Sequence, residues 1–294
     1  MDSLIPPLLN GTADGALLLI AALGLALTFG QMGVINMAHG EFLMAGAYAA
    51  YLTQQVVSST NISILIALPV AFAIAGVLGL ILEFAIIRWM YDRPLDTLLV
   101  TVGVSLVLRQ AALQIFPAQG VPVEKPDWLD GQLDIFGYHW PLRQLFTIVL
   151  AVVCLAGLAA LLKYSVFGRQ IRATVQNRAL AETLGVSTRV VDRLTFFIGS
   201  GLAGVGGVAV SLIGGTNATL GTKYIIPAFL VVVAGGLGQL KGTIIAAWAV
   251  GVSMAFLADW TTGSLAQVVA FVLVVIFLQA KPQGLFTVRT RGLA

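Results

Sequence analysis

Asn36, His39, Gly40 and Glu41 interrupt an apolar run that is otherwise continuous from residue 13 to residue 57. A second polar series, Thr97, Thr101, Ser105 and Arg109, recurs every fourth residue on one face of a predicted helix, with Gln110 beside it. Hydroxyl, amide and carboxylate groups inside apolar segments can hydrogen-bond a small polar solute. Such groups are costly in a membrane span and tend to face the bundle interior. One reading therefore puts both series on a translocation path. In the other, the hydroxyls bond their own backbone, Arg109 snorkels outward, and Asn36 to Glu41 cap a turn between two spans. Neither series makes an enzyme centre. His39 and Glu41 stand two apart with no further ligand cluster, so no metal site is expected. The two histidines and scattered carboxylates form no acid, base or nucleophile constellation.

The elements that position these residues follow from composition. Hydrophobic residues make up 59% of the 294 and charged residues only 10%, against roughly 25% charged in a soluble domain. Apolar runs near the length needed to cross a ~30 Å hydrocarbon core recur throughout. The expectation is an all-α, polytopic transmembrane bundle. Barrel strands would alternate apolar and polar residues over ~10 positions, and these segments do not. The net charge of +3 is no nucleic-acid signal, because the basic residues lie at span ends. Cys154, the one cysteine, sits in an apolar run and reads as packing. The N-terminus lacks a basic region before its apolar stretch, so the first span is expected to stay in the membrane.

Nine apolar segments are predicted, near 13–32, 38–57, 62–87, 95–116, 143–163, 194–213, 224–236, 243–258 and 264–280, for about eight or nine spans in a single transmembrane domain over 1–294. Lys/Arg bias sets their orientation. With the basic loop 163–193 inside, Arg88, Arg93, Lys241, Lys281, Arg289 and Arg291 join it, which places twelve of sixteen basic residues on the cytoplasmic side. Loop 117–142, with Glu124, Asp127, Asp130 and Asp134 against Lys125, is then external, the N-terminus outside and the C-terminus inside. Trp128, His139 and Trp140 suit an outer interfacial anchor, and Glu83 a local pairing with Arg88. Two glycine-broken segments are expected: Asn36 to Glu41, and Ala234 to Gln239 with Gly235, Gly236 and Gly238. Paired interruptions in two halves point to discontinuous helices around a central site. Gly204, Gly206 and Gly207 read as close helix packing.

Loop 163–193 has its own order. Phe167 and Gly168 break the incoming span; Ile171, Val175 and Ala179 then fall on one face of an amphipathic helix, with Arg169, Arg172 and Gln176 elsewhere. Gly185 stands where a helix C-terminal glycine belongs, and Ser187 or Thr188 can cap a second short helix carrying Val190, Val191 and Leu194. Such helices can lie on anionic lipid or dock in a groove of a soluble partner.

The stretches Gly168-Arg-Gln-Ile-Arg-Ala and Asn177-Arg-Ala-Leu-Ala-Glu-Thr-Leu-Gly185-Val resemble the coupling loop of the branched-chain amino acid and urea group of ABC importer permeases. The resemblance extends to Phe29-Gly-Gln-Met-Gly-Val-Ile-Asn-Met-Ala-His-Gly-Glu41, to Val231-Val-Val-Ala-Gly-Gly-Leu-Gly238 and to Lys281-Pro-Gln-Gly-Leu-Phe286, in all three thirds of the chain. The first and last of these are more similar to the urea-type subunit. The resemblance implies a bacterial inner-membrane subunit with no cofactor, paired with a second permease, two ATP-binding subunits and an extracytoplasmic solute-binding protein. It assigns coupling to Gly168, Arg169, Arg172, Asn177, Arg178, Ala181, Glu182 and Gly185. It also implies import of urea, or of branched-chain amino acids as the alternative. The chain itself has no Gly-x-x-x-x-Gly-Lys-Ser/Thr loop, so ATP chemistry belongs to other chains. A freestanding facilitator for small neutral solutes is the rival of another class.

Overall fold

The computed structural model describes residues 4–91, 93–135 and 137–286. Arg289 and Arg291, used above for the orientation, lie outside the described residues. Helix α1 (Ile5–Met32) starts at Pro6 and Pro7 and ends at Gly33, whose φ of 66° lets its N–H reach the Phe29 carbonyl. Helices α2 (His39–Val56), α3 (Thr60–Ala85) and α4 (Pro94–Ile115) follow, with a 3₁₀ turn at Ile87–Trp89. Strands β1 (Gln132–Ile135) and β2 (Tyr138–Pro141) pair as a hairpin before α5 (Leu142–Tyr164). Then come α6 (Val166–Gln176), α7 (Arg178–Thr183), α8 (Thr188–Gly214), α9 (Leu220–Gly235), α10 (Leu240–Trp260) and α11 (Gly263–Ala280).

Every predicted apolar segment is a helix, and the described residues form a mostly helical bundle with one two-stranded hairpin in 117–142. Seven helices among the described residues are long and apolar enough to cross a membrane. Helix α2 is too polar for that count and α9, at 16 residues, too short. These are also the two helices that start inside the bundle. Trp140 is also not an interfacial anchor, being buried, whereas Trp128 is exposed.

Glycines set the spacing of the central helices. A side chain at Gly199 of α8 would meet Thr28 and the Gly24 carbonyl of α1 at 2.8 Å. Gly204 abuts Ala71 and Ala75 of α3 and faces Gly46 of α2, while Gly207 lies on the Leu43 carbonyl. The Gly204 to Gly207 run is thus a packing surface, as small-residue interfaces between membrane helices are. Gly235 packs on Gly242, and Gly238 (φ 75°) on Gly30 near the end of α1. The Ala234 to Gln239 interruption is therefore a turn at the α1 C-terminal level, with Gly236 (φ 100°) against Phe286. The expected glycine break is thus present, between α9 and α10, but at the level where α1 ends rather than in the middle of the bundle.

Gly204→Val and Gly46→Val, which push a side chain into facing backbone, are expected to cost about 3 kcal/mol or more and to abolish the folded protein in detergent. Gly157→Val and Gly103→Val, which meet nothing within 4 Å, should leave its melting temperature unchanged.

Candidate functional site

After Met32 the chain turns back without forming a helix. His39 Nε2 donates to the Ala21 carbonyl at 3.0 Å, about eleven residues or ~16 Å along α1 from its end. Residues 33–38 thus re-enter the bundle, and α2 starts in its middle. Asn36 to Glu41 is a discontinuous segment and not a surface turn. From there α2 runs to the end of the bundle that carries 117–142, where Gln54 accepts the Glu124 N–H at 2.9 Å.

A second re-entry lies at 215–219, where the sequence reading expects none. Helix α8 ends at Gly215 (φ 74°), and Thr216 bridges Val121 at the 117–142 end. Five residues later, Gly221 in the first turn of α9 lies on Gly40 and on Glu41 Oε2, where an added Cβ would come within 2.7 Å of both. Helix α9 then runs to the opposite end. Two half-helices of inverted direction therefore meet with their N-termini in the bundle interior, and helix N-termini carry partial positive charge. Each is launched the same way. Asn36 Oδ1 accepts the Ala38 N–H at 3.0 Å, and Asn217 Oδ1 accepts the Thr219 N–H at 3.1 Å. The shared pattern is Asn-x-x-x-Gly, at Asn36 and Gly40 and again at Asn217 and Gly221. That repeat is the signal the sequence offers for it.

The polar series of α4 faces this re-entry. Thr101 Oγ1 accepts the Met37 N–H at 3.1 Å and lies 3.4 Å from the Ile35 carbonyl. Ser105 donates to Glu41 Oε1 at 2.8 Å. Thr97 bonds the Met90 and Arg93 carbonyls instead, at 3.0 and 2.8 Å. Arg109 is half-buried, one turn beyond Ser105, and makes no ion pair among the described residues. Glu41 borders an apolar cavity of 280 Å³ between α2, α3 and α4, in which Tyr48 and Phe116 stack at 3.9 Å. Its Oε2 and Asn36 Nδ2 are buried without a hydrogen-bond partner.

Loop 163–193 is built differently from its reading. Ser165, not Phe167 or Gly168, ends the incoming helix and caps α6 by accepting the Gly168 N–H at 2.9 Å. Asn177 interrupts the expected amphipathic helix and caps α7, accepting the Leu180 N–H at 2.9 Å. The buried face is consequently Gly168, Ile171 and Thr174, with Val175 and Ala179 exposed. Gly185 (φ 85°) ends α7, and its N–H reaches the Glu182 carbonyl at 3.0 Å while Val186 N–H reaches Ala181. No separate second helix follows, because Thr188 opens α8 itself.

Arg178 organises this region. It pairs with fully buried Asp192 at 2.5 Å, and Asp192 also accepts from Gln31 of α1 at 2.8 Å. Thr188 donates to Glu182 at 2.5 Å, and Ala181 is buried beneath them. Burial disfavours the Arg178 charge, yet the bond to Asp192, with the charges of Asp192 and Glu182, holds the guanidinium above its ordinary pKa. Glu83 is not the partner of Arg88, which stacks on Phe84 and Trp89. It accepts from Tyr91 at 2.7 Å and lies 3.5 Å from Arg193. Burial first, then that bond, pushes the Tyr91 phenol far above its usual pKa, so it stays a donor. Arg169 is exposed, and Arg172 bonds the Leu162 carbonyl.

Residues 8–278 match the family described as branched-chain amino acid transport system / permease component. The chain belongs to that family. It is 29% identical to the high-affinity branched-chain amino acid transport system permease protein BraD of Pseudomonas aeruginosa, over 95% of this chain and 94% of that one. Identity to LivH of Escherichia coli K12 is 26% over 94% and 93%, and to LivM of the same strain 26% over 94% and 70%. An inward-facing ABC transporter of the metal-chelate type aligns over 94% of this chain and 85% of that chain, with 15% identity and a TM-score of 0.47. The permease is an inner-membrane transport subunit and not an enzyme. BraD, LivH and LivM are all named for branched-chain amino acids, and the expectation of urea finds no support among them.

Arg178→Ala leaves Asp192 charged and buried without its partner, a change worth roughly 3–5 kcal/mol for a fully buried pair and less here, because Arg178 is 39% exposed. Thermal unfolding of the purified permease should show the loss, and Asp192→Asn added to Arg178→Ala should recover part of it. Strict additivity of the two changes would contradict the pairing.

Proposed function

We propose that this chain is one of two related permease subunits in an ATP-driven importer of branched-chain amino acids. Two separate ATP-binding subunits drive it, and an extracytoplasmic binding protein delivers the solute. The match over residues 8–278 carries this reading. Similarity to both LivH and LivM, two permease proteins of one strain, supports a paired permease. In the proposed orientation the single domain 1–294 presents 117–142 outside and the coupling loop 163–193 to the cytoplasm, where lipid surrounds the spans.

Coupling falls to α6 and α7. Their outer faces expose Val175, Leu180 (56%) and Leu184 (75%), apolar surface that suits a groove on a soluble subunit better than anionic headgroups. The inner faces, through Ala181, Arg178 and Asp192, reach Gln31 at the end of α1, next to the first re-entry. A push on this hairpin is thereby delivered to the segment that launches α2. Separation of α2 from α9 at Gly40 and Gly221 opens the bundle interior, and Glu41, Ser105 and Thr101 hold the closed arrangement. In this reading Asn36, His39, Thr97 and Arg109 frame the path rather than grip the solute.

The test is uptake of labelled leucine and labelled urea by vesicles containing the complete complex, with intact and with catalytically dead ATP-binding subunits. Leucine uptake that vanishes with the dead subunits is the expected outcome. Urea uptake under the same control would overturn the substrate, and uptake independent of ATP hydrolysis would establish a facilitator instead.

A further inference from the structure

A second cavity, of 430 Å³, opens between α1, α9, α10 and α11 and is lined by Asp14, Lys223, Ser264 and Gln267. Its size falls in the range of small-molecule sites, about 300–1,000 Å³. Asp14 lies about nine residues, ~14 Å, along α1 from Ile5. Lys223 stands in the first turn of α9, two residues past the Gly221 that meets Glu41. Both side chains are exposed, and neither belongs to any of the five ion pairs among the described residues. The Lys223 ammonium lies 5.6 Å from the Tyr224 ring. Asp14 and Lys223 thus put opposite charges on one cavity between apolar helices, where ionisable side chains mark solute and ion pathways. Leu17, Leu18 and Met254 supply an apolar wall beside them.

We infer that this cavity is the site where the permease itself holds its solute, and that it selects a zwitterion with an aliphatic side chain. Asp14 takes the α-ammonium, Lys223 takes the α-carboxylate, and Leu17, Leu18 and Met254 receive the branched side chain. The inference rests on the amino-acid reading above and deepens it. The cavity sits on the 117–142 side of the α2/α9 junction, so the same turn of α9 both touches the solute and closes the way beyond it. An amide such as urea, with no charges to offer, leaves both groups unmatched.

The complete transporter in phosphatidylethanolamine/phosphatidylglycerol vesicles provides the test, with labelled L-leucine as probe. Asp14→Asn and Lys223→Gln should each lower leucine uptake by about tenfold or more, while leucine-loaded binding protein still stimulates ATP hydrolysis. On a Cys154→Ser background, leucine should slow thiol labelling of Ser264→Cys, and 4-methylpentanoate, which lacks the ammonium, should not. Wild-type rates in both charge variants would overturn the site and leave the importer standing, as would labelling of Ser264→Cys that ignores leucine. Charge variants that matter only when phosphatidylethanolamine is present would assign the pair to a lipid headgroup and overturn it too. Failure of the unmodified complex to take up leucine would overturn the importer reading and this ligand together.

Discussion

Backbone polar groups inside a membrane need partners, and two stretches of this chain cross the bundle without helix. The rest of the architecture follows from satisfying them. Non-helical backbone at such depth persists only where protein encloses it or water lines it. Here Thr101 takes the Met37 N–H, Asn36 takes that of Ala38, and Val121 pairs with Thr216 on the other side. The enclosing wall is supplied by α1 and α8, in glycine-to-backbone contact at Gly24 and Gly199, and α8 meets α2 in the same way at Gly204 and Gly46. The result is a pair of half-helices whose N-termini oppose each other at Gly40 and Gly221.

In the proposed coupling, that arrangement places the moving part next to its drive. Gln31, Asp192 and Arg178 connect the last turn of α1 to the α6–α7 hairpin, and residues 33–38 begin immediately after that turn. Tyr91, Glu83 and Arg193 tie the end of α3 into the same region. Because Asp192 is fully buried, its two partners cannot drift independently. In the proposed coupling, a displacement of the hairpin is passed through Asp192 to the α1 end.

Much of this is legible in the sequence, for physical reasons that differ by element. The nine apolar helices can be read because apolar length is a strong signal in hydrocarbon. Gly185 and the packing role of Gly204 follow from the conformational and steric properties of glycine. The α4 series is legible as one face, but its partners are not, since side-chain period says nothing about which backbone a hydroxyl meets 64 residues away. The capping roles of Asn177 and Ser165 are hidden by the apolar spacing of Ile171, Val175 and Ala179, which invites one longer helix. Dense glycines draw the second break to Gly235 through Gly238. The Asn217 and Gly221 spacing that repeats Asn36 and Gly40 is the better guide. Asp14 and Lys223 escape notice because the predicted span boundaries put each at an edge, where a charge needs no explanation.

The central claim is that residues 33–38 lie within the bundle and not on its surface. Single cysteines at Val34, Ile35, Met37 and Ala38 on a Cys154→Ser background, challenged with a bulky membrane-impermeant thiol reagent from each side in turn, test it directly. The account predicts that all four resist the reagent from both sides in the resting complex, while Gln176→Cys on the hairpin reacts from one side only. Reaction of all four from the side that labels residue 176 would contradict it and return Asn36 to Glu41 to a surface turn.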